Sequence, residues 1–121
     1  MIAASTTSIH ASRVAQEFGA LRLLTLALAQ AFDLATFAVM VARHGAGAEA
    51  NPFVSDLFVA HGMWAVVLAK IALVLLIGAL TVASWSRGRQ GAWSVVGGLP
   101  LALAIAAGLV GGITNAATFL A

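Results

Sequence analysis

A chain of 121 residues is one domain by length, and 62% of it is hydrophobic against 8% charged. Soluble domains carry about 25% charged residues. With a mean hydropathy of +1.04 and so little interior to hide apolar surface in, the lipid bilayer is the expected solvent and the first expected partner. The pI near 10.6 rests on a net charge of only +2 with no basic, aromatic-interleaved patch, which excludes nucleic acid as a partner. The lack of cysteine excludes disulfides, thiolate metal sites and thiol nucleophiles.

Residues 1–20 form a polar N-terminal tail or an interfacial helix, ahead of a three-span membrane domain over 21–121. Ile9, Val14, Phe18 and Leu21 give that first stretch a loosely amphipathic face, and Arg13, Glu17 and Arg22 fit a helical continuation into the first span. A secretory leader is the competing reading, with Arg13 and Arg22 before the apolar run 23–28 and Ala29-Gln30-Ala31 as a cleavage site. The apolar run continues to Ala42, however, which is long enough to span.

Span one covers residues 21–42, roughly 33 Å of helix at about 1.5 Å per residue. Gln30, Asp33, Thr36 and Met40 recur at three- and four-residue steps and share a face, beside a row of Ala27, Ala31 and Ala35. The segment 43–51 breaks the pattern with Gly45 and Gly47, and Asn51-Pro52 is a helix-start signal. Residues 52–60 read as an interfacial or re-entrant half-helix, or as the first turns of span two.

Span two covers 63–84, flanked by Trp64 and Trp85 at interface positions. Residues 86–90 make a tight loop with Arg87 and Arg89. Span three covers 93–120, where Pro100 either kinks the helix or marks its start after Gly97-Gly98. Ala104, Gly108, Gly112 and Ala116 are spaced by four and form a small-residue packing ridge, facing either another helix of this chain or another subunit. The expected fold is therefore an all-α integral membrane protein with three transmembrane helices and a short half-helix in the first loop.

Arg13, Arg22, Arg87 and Arg89 fall on one side of this arrangement, and Arg43 on the other, offset by Glu49 and Asp56. The positive-inside rule then predicts a multi-pass protein of the cell (inner) membrane with a cytoplasmic N-terminus. The first loop and the C-terminus face outward.

Two charges lie inside the predicted spans. Asp33 sits about 13 Å below the outer end of span one, and Lys70 about 12 Å below that of span two. Charges near the bilayer centre cost roughly 2.5–3.5 kcal/mol each on insertion scales, so opposite charges at matched depth on antiparallel helices are expected to meet. Asn115 enters from span three at shallower depth, Thr36 lies one turn above Asp33, and Glu49 and Asn51 are placed to fold over the group. The expected polar cluster is Asp33, Thr36, Glu49, Asn51, Lys70 and Asn115.

Asp33-Leu-Ala-Thr36, Glu49-Ala-Asn51-Pro52, Lys70 and Asn115 together resemble the pattern of a small prokaryotic membrane family, domain of unknown function 5658, over about residues 21–120. The resemblance implies a compact multi-span helical module and carries no activity with it.

Each feature has a structural reading beside a functional one. Asp33 and Lys70 are either an ion pair fixing helix register or a proton or ion relay. Glu49-Ala-Asn51-Pro52 is either a capped turn or a ligand-gripping loop. His44, Glu49 and His61 are weak metal candidates, since their spacing fits no compact metal motif. No nucleophile elbow or phosphate-binding loop is present, and no cofactor is expected.

Three functions follow. The first is a non-enzymatic accessory or scaffold subunit, packing as a homo-oligomer or with other membrane-protein subunits. The second is a small ion- or proton-coupled transporter or channel using Asp33 and Lys70. The third, an intramembrane enzyme or lipid-handling protein with Asp33 or Glu49 as acid/base, lacks an accompanying nucleophile or metal set.

Overall fold

The computed structural model describes residues 2–49, 51–86 and 92–121. Four α-helices follow in order: α1 Ile2–His44, α2 Pro52–His61, α3 Met63–Ser86 and α4 Ala92–Leu120, with a 3-10 turn at Ala46–Ala48 after α1. Three of these are long and apolar enough to cross a membrane, over Glu17–His44, Met63–Ser84 and Gly98–Leu120. These stretches match the expected spans to within a few residues.

The helix ends are set by local chemistry. α1 closes on Gly45, whose φ of 80° suits a residue without a side chain, and whose N–H donates to the Val41 carbonyl at 2.9 Å. α2 closes the same way on Gly62, φ 84°, with its N–H on the Phe58 carbonyl at 2.7 Å. That one glycine separates α2 from α3, so residues 52–61 are a distinct short helix and not the start of span two.

No backbone break marks residue 20, because α1 runs unbroken from Ile2. Ile9, Phe18 and Leu21 are all exposed on it, and the Val14 side chain lies outside the described residues. The loop expected over 86–90, with Arg87 and Arg89, lies outside them from residue 87 on, as does the Trp85 side chain. α4 starts at Ala92 and continues through Pro100. The proline therefore neither starts the helix nor ends it, although its ring leaves one carbonyl of the preceding turn without a backbone donor.

The three long helices share a layered interior. One apolar cluster joins Leu26 of α1, Ile77 of α3, and Leu101 and Ala104 of α4. A second joins Phe37 and Met40 of α1 to Val66 of α3, with Val54, Leu57 and Phe58 of α2 packed against it. Phe37 and Phe58 meet edge-on, centroids 5.9 Å apart, which seats α2 on the bundle. These pairings run antiparallel between α1 and α3 and parallel between α1 and α4.

The parallel contact is the closest one. A Cβ built on Gly108 would lie 2.9 Å from the backbone carbonyl of Ala29. At Gly111 it would lie 2.9 Å from Cγ of Asp33, and at Gly112 it would run into the Phe32 ring. Ala104, Gly108 and Gly112 are buried and Ala116 half-buried. The small-residue ridge of α4 is thus occupied by α1 of the same chain. Small residues let two backbones approach where lipid supplies no hydrophobic drive for helix association.

Gly108→Ala places a methyl against backbone that has nowhere to go and is expected to lower stability by about 1–3 kcal/mol. Gly98→Ala, on the same helix with open space around it, is expected to be neutral or to stabilise by about 0.5–1 kcal/mol. Unfolding of both variants in mixed micelles, followed by circular dichroism, checks the contrast.

Candidate functional site

Between the two apolar clusters lies a polar layer, to which each long helix contributes. Asp33 projects from α1 and Lys70 from α3, and the Lys70 ammonium forms an ion pair with Oδ2 of Asp33. It also donates to Oε1 of Gln30, one turn before Asp33 on α1, at 3.0 Å. From α4, Nδ2 of Asn115 donates to Oδ1 of Asp33 at 3.1 Å and to its backbone carbonyl at 3.3 Å. The same amide reaches Oγ1 of Thr36 at 3.4 Å.

Gln30 completes the layer from the other side. Its Nε2 donates to the Ala104 carbonyl of α4 at 2.8 Å while its Oε1 accepts from Lys70. The partners fix which way this amide points: an ammonium can only donate and a carbonyl can only accept. One buried side chain therefore ties α1 to α4 and α3 together. The Thr36 hydroxyl returns to its own helix, donating to the Phe32 carbonyl at 2.8 Å. Among the described residues no buried side-chain nitrogen or oxygen lacks a partner. That is what a low-dielectric setting demands of polar groups.

Glu49 and Asn51 stand apart from this network. Asn51 caps α2: its Oδ1 accepts from the Phe53 N–H at 3.0 Å, and Pro52 takes the first helical position. Oε1 of Glu49 accepts from the Asn51 N–H at 2.9 Å. Ser55 ties α2 back to the 3-10 turn, its hydroxyl donating to the Ala46 carbonyl at 3.1 Å. The loop is thus a capped turn in its backbone, and neither Glu49 nor Asn51 hydrogen-bonds to Asp33 or Lys70.

The two groups nonetheless face one another across a partly open cavity of about 130 Å³. Asp33, Lys70, Glu49 and Asn51 line it, with Leu34, Phe37, Val54 and Val66 among its apolar walls. The Lys70 and Asp33 side chains keep 20% and 13% of their surface accessible.

The weak metal candidates do not assemble. Among the described residues no three histidines, aspartates or glutamates converge, so His44, Glu49 and His61 form no ligand set. Each is tied to a different piece of backbone: the end of α1, the loop and the end of α2.

Three contributors escaped the reading of the sequence. Gln30 was visible as a neighbour of Asp33 on one helix face, but its two-sided role needs α3 and α4 in place. Gly111 gives Asp33 room against α4 and carries no signal beyond its small size. Arg43 donates from Nη1 to the Phe119 carbonyl at 3.3 Å and lies 5.6 Å from the centre of its ring. It closes the last turn of α4 with a positive charge where the helix dipole favours one.

An all-helical chain with three lipid-length spans and a charged, hydrogen-bonded layer at mid-helix defines a class of small proteins compatible with the membrane. The family model for domain of unknown function 5658 matches residues 24–119, and the chain belongs to that family. No curated protein and no solved structure matches it.

Lys70→Met leaves Asp33 without its cation and is expected to cost about 3–5 kcal/mol. The Asp33→Asn/Lys70→Met double variant removes both charges and is expected to recover most of that loss. A double-mutant cycle on unfolding in mixed micelles measures the coupling.

Proposed function

We propose that the protein is a non-enzymatic scaffold or accessory subunit of the cell (inner) membrane, built as a self-contained three-helix unit. The mutual hydrogen bonding of the polar layer carries this reading: Asp33, Lys70, Gln30, Asn115 and Thr36 satisfy one another, so the intramembrane ion pair serves to hold three helices in register. The exterior supports it as well. Leu28, Leu68, Leu75, Leu103 and Val110 are each more than three-fifths exposed, an apolar coat that suits lipid and partner helices alike. In this arrangement the N-terminus is cytoplasmic, and the Glu49 loop and C-terminus lie outside. α2 rests at the outer interface.

The scaffold role implies association with further copies or with other membrane subunits. Mass measurement in detergent is expected to give a species above monomer mass, or one carrying a second chain. A strictly monomeric particle with full biological activity contradicts it.

A second reading, ion or proton coupling through Asp33 and Lys70, is favoured by the cavity that reaches the pair. Under that reading proteoliposomes show an ion or proton flux that Asp33→Asn abolishes. Flux unchanged in Asp33→Asn and in Lys70→Met rejects it.

A further inference from the structure

We infer that the cavity between the first loop and the polar layer is a binding site for a small organic ammonium ion, with Glu49 as its counter-charge. Four observations lead there. The Asp33 and Lys70 charges compensate each other, Lys70 donates a further hydrogen bond to Gln30, and Asn115 donates one to Asp33. That leaves Glu49 as the uncompensated charge on the cavity wall, for among the described residues no cation pairs with it.

Its carboxylate is also only half used. Oε1 accepts from the Asn51 N–H, and the second oxygen has no hydrogen-bond partner among the described residues. A carboxylate is an acceptor only, so the group it would take is a donor, and a cationic donor makes the stronger bond.

The walls then set the rest of the ligand. Leu34, Phe37, Val54 and Val66 offer apolar surface beside the carboxylate. An engineered apolar cavity of about 150 Å³ accommodates benzene, so a volume of about 130 Å³ suits a short alkyl chain bearing one ammonium group. An anion meets net negative charge here, and a neutral alcohol forgoes the ionic bond. The site is independent of the scaffold role, since it uses a carboxylate that holds no helices together.

The test is ligand-observed saturation-transfer NMR on the full chain in nonionic detergent, with empty micelles as the background. The probes are n-propylammonium, 1-propanol and propionate, which share a chain and differ in charge. Propylammonium is expected to saturate at a concentration at least about tenfold lower than either of the others. Glu49→Gln is expected to bring it to the level of propanol, and Val54→Phe, which fills the cavity, to remove it.

Equal binding of propylammonium and propanol overturns the inference, as does the absence of saturable binding or full binding by Glu49→Gln. The wild-type series decides alone should a variant fail to fold. Because assembly is read by mass in the same detergent, a failure here is distinguishable from a failure of the scaffold reading.

Discussion

The structure depends on a charge that cannot be left alone. An aspartate in the middle of an apolar helix has three routes open to it: find a cation, find donors, or lose its proton-free form. Asp33 takes the first two together, with Lys70 from α3 on one oxygen and Asn115 from α4 on the other. Since those partners sit on different helices, one carboxylate is bonded to two further helices at once. Apolar contacts cannot do this in lipid, where a leucine gains little by leaving the solvent for another leucine.

The glycines of α4 and this polar layer act on the same contact. Hydrogen bonds from Asn115 to Asp33 and from Gln30 to the Ala104 carbonyl need the α1 and α4 backbones close together. Gly108, Gly111 and Gly112 permit that approach, each lying where a methyl group would meet α1. Packing and electrostatics are therefore coupled along this seam. Above it, Arg43 closes the end of α4 through the Phe119 carbonyl, and below it Leu26, Ile77 and Leu101 form a plain apolar plug.

The first loop has a different logic. Its backbone is organised by its own side chains, through the Asn51 cap, the Glu49 acceptance from Asn51 and the Ser55 link to Ala46. Phe58 and Leu57 then seat α2 against the bundle. Because the loop is self-sufficient, it covers the polar layer without filling it, and a cavity remains between the two.

Much of this was legible from the chain alone. A fixed rise per residue converts position into depth, so Asp33 and Lys70 could be matched before any fold was known. The helix-start chemistry of Asn51-Pro52 is local, and so is the apolar length of the three spans. The partner of the small-residue ridge was not legible. Nothing in the spacing of Ala104, Gly108, Gly112 and Ala116 distinguishes a helix of the same chain from that of another molecule. Depth along an axis is a one-dimensional quantity that a sequence carries, whereas rotation about the axis and the choice of neighbour depend on all helices at once. Only tertiary packing decided that α1 and α4 lie in close contact, that Gln30 bridges three helices, and that Glu49 faces the ion pair without joining it.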